Sequence, residues 1–185
     1  MEAFLVSALT VALAEIGDKT QLLSLLLVIR FQRRLSIIAG ILLATVLNHA
    51  ASAWLGQSAA GLLSPEIIKW VVAISFFAIA LWSLVPDKAQ EVGGPVNGYG
   101  AFIASTILFF LAEIGDKTQV ATVILAAQYQ QVVLVTAGTT LGMLAANVPV
   151  VIFGQQLMQR LPISGARIAA STVFFIMGVL TLVFA

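Results

Sequence analysis

No cysteine occurs among the 185 residues, which removes disulfides, thiolate metal sites and cysteine nucleophiles together. Charge is nearly as scarce: Asp, Glu, Lys and Arg make up 9% of the chain against 61% hydrophobic residues, and the mean hydropathy is +1.07. So few polar side chains cannot clothe a soluble globule, so the chain is an integral membrane protein. A net charge of +1 with no polybasic arm gives no footing for nucleic acid. A single histidine, with no acid placed near it, leaves serine hydrolysis without a base.

What is present in quantity is long apolar sequence. Six stretches reach the length needed to cross about 30 Å of hydrocarbon at about 1.5 Å per residue: Ala3 to Ile29, Ser36 to Gly56, Ile67 to Val85, Tyr99 to Ala127, Val132 to Phe153 and Ile168 to Phe184. They are continuously apolar, without the alternation of a lipid-facing strand, so helices are expected rather than a barrel. Ala12-Leu13-Ala14 resembles a signal-peptide cleavage site, but no basic residues precede it and cleavage would cut a charged motif from its helix, so Met1 onward is read as mature chain. Breakers mark the connections: Ser64-Pro65, Leu161-Pro162 with Gly165, and the long segment Pro86 to Gly98.

Within this apolar background one octapeptide, Ala-Glu-Ile-Gly-Asp-Lys-Thr-Gln, occurs twice, from Ala14 to Gln21 and from Ala112 to Gln119. The shift of 98 residues that superimposes Glu15 on Glu113 also maps Gly40 to Gly138, Gly56 to Gly154 and Gln57 to Gln155 without a gap. Two homologous halves follow: residues 1–87, a linker at 88–98, and residues 99–185, each with three apolar stretches. An odd number of crossings forces the second half to enter the membrane in the opposite sense. The expected fold is therefore an all-α membrane protein of six transmembrane helices arranged as two inverted-topology repeats of three.

Loop charges give the orientation. The first, third and fifth connections carry Arg30, Arg33, Arg34, Lys88, Arg160 and Arg167, and the second and fourth carry only Lys69. The odd loops and the linker are expected in the cytoplasm and both termini outside.

Each motif puts two acids and a lysine into a membrane-spanning stretch, where ionised groups are expensive and mark function. On a continuous helix Glu15, Asp18 and Lys19 share one face, as do Glu113, Asp116 and Lys117. Inversion then brings four carboxylates and two ammonium groups together near the midplane. The plain alternative is structural, with each lysine neutralising its own glutamate four residues earlier. Against it, six charges at about 2.5–3.5 kcal/mol each cost roughly 15–21 kcal/mol before compensation, a sum that apolar packing avoids. Complete pairing also leaves two of the four carboxylates without an ammonium.

A divalent cation fits that deficit. The carboxylates, with the side-chain oxygens of Thr20, Gln21, Thr118 and Gln119, are hard ligands suited to Ca²⁺, Mn²⁺ or Mg²⁺. Once the metal leaves, crowded carboxylates in a low-dielectric site take up protons. Competition of metal and protons for the same oxygens is the minimal mechanism of a cation/proton antiporter. Gly17 and Gly115 offer either local unwinding or close helix packing.

The doubled Glu-x-Gly-Asp-Lys-Thr in a short six-helix repeat resembles the family of Ca²⁺/Mn²⁺ cation/proton exchangers that includes bacterial manganese exporters and Golgi calcium and manganese transporters. That resemblance covers nearly the whole chain from Glu2 onward. It implies that Glu15, Asp18, Glu113 and Asp116 are the ion-binding acids, with Lys19, Thr20, Lys117 and Thr118 as motif partners. For a chain of bacterial size it implies Mn²⁺ efflux across the inner membrane, with metal and protons as substrates, no cofactor, and a monomer or homodimer in the bilayer.

Among secondary features, His49 lies beside Asn48, and the 98-residue shift pairs it with Asn147. An interhelical hydrogen bond is its expected role, with soft ligation or proton relay as alternatives, and Asn48 and Asn147 carry the same choice. Gly138 and Gly142, matched by Gly40 and Ala44, read as close helix packing. Trp54, Trp70 and Trp82 stand near segment ends and read as interfacial. Two other functions are weighed. An aspartyl intramembrane hydrolase needs one acid on each of two helices, whereas each motif here carries two acids beside a lysine. A passive divalent-cation channel is the nearer competitor, but two buried lysine-bearing motifs suit binding and release better than open conduction.

Overall fold

The apolar stretches fold as helices in the computed structural model, which describes residues 1–85, 99–154, 156 and 163–184. Among the described residues eight helices run in chain order: α1 (Glu2–Glu15), α2 (Lys19–Phe31), α3 (Arg34–Ala60), α4 (Pro65–Ser83), α5 (Ala101–Glu113), α6 (Lys117–Tyr129), α7 (Val132–Phe153) and α8 (Ile163–Phe184). Four are long and apolar enough to cross a membrane: α3, α4, α7 and, from Ser164, α8. The linker expected at 88–98, Gln155, and the Arg160 and Leu161-Pro162 signals lie outside the described residues.

The first and fourth apolar stretches differ from the expected single helices. Each is broken at its motif, giving two half-length pieces end to end, α1 with α2 and α5 with α6. The break follows from Gly17 and Gly115, which take φ values of 81° and 74° in the left-handed region that only glycine enters without strain. The residue before each glycine is extended, and the aspartate after it takes the N-cap position of the next helix.

Local chemistry explains the other boundaries. The Ser64 hydroxyl accepts from the Ile67 N–H at 3.4 Å, and Pro65 opens α4 where its missing N–H costs nothing. Gln32 and Gln130, also 98 residues apart, end α2 and α6 with φ of 54° in both. Pro149 lies inside α7, where it removes a backbone donor.

Packing repeats with the sequence. α1 runs along α7 as α5 runs along α3, and α3 crosses α7. Glycines allow close approaches: a Cβ on Gly56 would overlap the Val123 carbonyl oxygen, one on Gly138 would lie 2.4 Å from that of Phe4, on Gly142 2.5 Å from that of Ala8, and on Gly40 2.7 Å from that of Phe102. The helix-packing expectation for the Gly138–Gly142 spacing thus describes the contact with α1. α4 and α8 form a tight pair in which Phe76 stacks on Phe174 at 6.4 Å and Phe77 meets Phe175 at 5.2 Å between centroids. Both are contacts between residues 98 positions apart, each touching its own counterpart.

Trp54 and Trp70 are exposed, as interfacial residues should be, along with many large aliphatic side chains. An outward face this apolar suits lipid rather than water.

Candidate functional site

The two breaks face each other in the interior. Glu15 and Glu113 are the last residues of α1 and α5, Asp18 and Asp116 take the N-cap positions of α2 and α6, and all four acids are at most 6% exposed. Carboxylate oxygens of Glu15, Glu113 and Asp116 lie within 4.8 Å of one another, a spacing that one cation can bridge. Asp18 is outside that group of three; its carboxylate accepts from the Thr20 N–H at 3.4 Å and lines a narrow cleft with Gly17, Ser83, Lys117 and Arg167.

Because the helix stops at Glu15, a single helical face no longer describes the motif. Lys19 turns from its own glutamate and pairs with Asp116 of the other half, Nζ to Oδ1 at 2.8 Å. The structural alternative, in which Lys19 neutralises the glutamate four residues earlier, gives way to an ion pair between halves. Lys117 goes elsewhere: its Nζ donates to the Val85 carbonyl at 3.0 Å and stands 6.0 Å from the centre of the Trp82 ring.

The remaining motif side chains shape the breaks. Thr20 donates its hydroxyl to Glu15 Oε2 at 2.5 Å, and Thr118 donates to Glu113 Oε2 at 3.0 Å and Asp116 Oδ2 at 3.3 Å. Gln21 Oε1 accepts the Gly17 N–H at 2.7 Å and Gln119 Oε1 accepts that of Gly115 at 2.6 Å, so each glutamine amide closes its own turn. The Gln21 amide nitrogen further ties α2 to the Ala146 carbonyl at 2.9 Å. Threonines and glutamines thus hold the carboxylates and the backbone in place.

Two oxygens are left over. Glu15 Oε1 and Glu113 Oε1 are buried with no hydrogen-bond partner among the described residues. A buried acceptor without a donor is costly, and a proton or a metal ion relieves it. The site is therefore able to take either.

Around the motifs, Asn48 donates to the Phe110 carbonyl at 3.1 Å, joining α3 to α5. Asn147 donates to the Met143 carbonyl at 3.1 Å and accepts from Ser24 at 2.9 Å. Both asparagines serve as structural hydrogen bonders here. His49 does not follow its counterpart. It is fully buried, and neither ring nitrogen has a partner among the described residues. Thr122 stands where Ser24 stands in the first half, but its hydroxyl donates to the Thr118 carbonyl within its own helix at 2.8 Å. Sequence reasoning passed over Ser24 and Val85 and read Trp82 only as interfacial. Ser24 was recognisable only as a polar residue in an apolar run, and a backbone carbonyl such as that of Val85 carries no sequence signal.

The family model described as divalent cation/proton antiporter GDT1 matches residues 3–91 and again residues 101–185, one match per half. A Vibrio cholerae protein named "Putative manganese exporter" is 51% identical over 185 residues, covering 100% of this chain and 92% of its own. The Synechocystis GDT1-like protein sll0615 is 29% identical over 208 residues, covering 100% of this chain and 95% of its own. GDT1-like protein 5 of Arabidopsis thaliana matches at 37% identity over 94 residues, 51% of this chain and 40% of its own. No solved structure matches the chain. With the family model covering both halves, the chain belongs to the GDT1 family of divalent cation/proton antiporters.

Proposed function

We propose that the protein exports Mn²⁺ from the cytoplasm in exchange for protons, with Glu15, Glu113 and Asp116 as the principal ligands. Asp18 supplies a fourth charge beside them, and Thr20, Gln21, Thr118 and Gln119 orient the carboxylates and the breaks or lend oxygens as the ion passes. The observation that carries this reading is the convergence of three buried carboxylates from two halves within 4.8 Å, with two of their oxygens lacking hydrogen-bond partners. Metal and protons bind that set in turn. Ion arrival drives protons off the glutamates, and ion departure lets them return.

The chain crosses the membrane six times in this reading, with α1–α2 and α5–α6 each forming one broken span and the two halves inverted. Support comes from contacts between residues 98 positions apart, Phe76 with Phe174 and Phe77 with Phe175, as expected where counterparts meet near a two-fold axis. The loop charges support an orientation with the linker in the cytoplasm and both termini outside. The choice of Mn²⁺ over Ca²⁺ leans on the name of the Vibrio cholerae relative, since an all-oxygen site accepts either.

Bacterial cells lacking the protein are expected to accumulate Mn²⁺ and to stop growing at added Mn²⁺ that the parent strain tolerates, with growth restored by the wild-type chain. Sensitivity to Ca²⁺ instead of Mn²⁺ would reassign the cargo, and unchanged tolerance of both would remove the export reading.

A further inference from the structure

The two motifs are identical in sequence, yet their lysines are placed differently. Lys19 Nζ reaches across to Asp116 Oδ1 at 2.8 Å, while Lys117 Nζ is held on the Val85 carbonyl at 3.0 Å and beside the Trp82 ring. Local propensity cannot distinguish two identical octapeptides, so the difference comes from what packs against each. The α4–α8 pair lies along α1 through α8 and along α6 through α4. Among the described residues it makes no comparable packing with α2 or α5, the other two half-helices. In this position the end of α4 presents Val85 and Trp82 to Lys117. The counterparts of those residues on α8, Val183 and Leu180, supply no aromatic ring for Lys19.

We infer that Lys19 is a tethered cation that competes with the transported ion for Asp116. This rests on reading the three-carboxylate cluster as the transport site. A divalent ion bridging Glu15, Glu113 and Asp116 sits about 2.0–2.6 Å from each ligand oxygen, in the space beside Asp116 Oδ1 that the ammonium now fills. Two cations crowded onto one carboxylate in a low-dielectric interior repel strongly. Ion entry therefore expels the Lys19 ammonium, and its return to Asp116 helps eject the ion. Lysine suits the task because its charge is a compact point on a flexible four-carbon stem.

The test is Mn²⁺ binding to the purified full chain in detergent, read from the free Mn²⁺ signal by electron paramagnetic resonance. Lys19→Gln is expected to bind Mn²⁺ about tenfold or more tightly than wild type, because the internal competitor is gone. Lys19→Arg, which restores the charge, reverses most of that gain. Lys117→Gln removes the same charge from the same motif and gives a smaller tightening. Equal tightening in Lys19→Gln and Lys117→Gln would reduce the effect to net charge and overturn the inference, as would wild-type affinity in Lys19→Gln. A second measurement needs no variant. Acetylation of Lys19 by an amine reagent, quantified by peptide mass spectrometry on wild-type protein, is expected to rise severalfold on adding Mn²⁺, and unchanged labelling would overturn expulsion. Failure of the transport-site reading looks different: wild-type protein and Glu113→Gln would bind Mn²⁺ equally weakly, whereas failure of this inference alone leaves wild type binding Mn²⁺ well and Glu113→Gln binding it poorly.

Discussion

Asp116→Asn reduces Mn²⁺ flux through proteoliposomes by about a hundredfold or more, to the level of protein-free vesicles, while the protein still inserts and purifies as a single species. Asp116 does three things at once. It contributes one of the three clustered carboxylates, pairs with Lys19 at 2.8 Å and occupies the N-cap position of α6, where its side chain makes no capping bond. Asparagine keeps the shape and is equally favoured at an N-cap position, and no side-chain capping bond is lost, so the helix start survives. It loses the charge that both the ion and Lys19 require, and breaking a buried pair from one side costs about 3–5 kcal/mol, more than two orders of magnitude in an equilibrium constant. Asp18→Asn is also expected to abolish flux, through loss of the fourth charge beside the cluster. Wild-type flux in both variants would remove the carboxylate site from the account.

Alanine at both Gly138 and Gly142 lowers the melting temperature of the detergent-solubilised protein by about 10 °C and lowers flux with it. Added Cβ atoms would lie 2.4 Å from the Phe4 oxygen and 2.5 Å from the Ala8 oxygen, both backbone atoms of α1 that cannot rotate away. Such overpacking costs about 1–3 kcal/mol per site, and for a chain of this length each kcal/mol is about 2–4 °C. The functional loss follows because α1 ends in Glu15, so any outward shift of α1 moves a site carboxylate. Gly61→Ala is the control. Its nearest neighbours would be 3.5 and 3.7 Å away, ordinary contact, and it should melt as wild type does. Unchanged melting of the double variant would show that α1 and α7 are not packed as described.

Much of this was legible in the sequence because it is carried by pattern. The octapeptide and the 98-residue shift pointed to two related halves, and three of the four predicted acids converge in the structure. Apolar length placed α3, α4, α7 and α8 within a few residues. What stayed hidden depends on backbone geometry. A helical wheel presupposes an unbroken helix, and Gly17 reads equally as a packing residue or as a break until its φ of 81° is seen. Once the helix stops at Glu15, Lys19 is freed from its i+4 relation and reaches the other half. Gln21 and Gln119 read as ligands on composition, yet each closes the glycine turn beside it. The unequal placement of Lys19 and Lys117 could not be read from the motifs, which are identical; it depends on what α4 and α8 pack against and present. His49 was expected to hydrogen-bond as Asn147 does, but that required a donor where Thr122 spends its hydroxyl on its own helix.

The central claim is exchange of a divalent cation against protons at one buried carboxylate site. Proteoliposomes holding the purified protein and a Mn²⁺-quenched dye, with equal Mn²⁺ on both sides and an imposed pH gradient, test it most directly. Mn²⁺ should move uphill, toward the compartment with more protons, and should reverse direction when the gradient is reversed. Mn²⁺ movement that follows only its own gradient and ignores the imposed pH difference would contradict exchange and leave a passive pathway in its place.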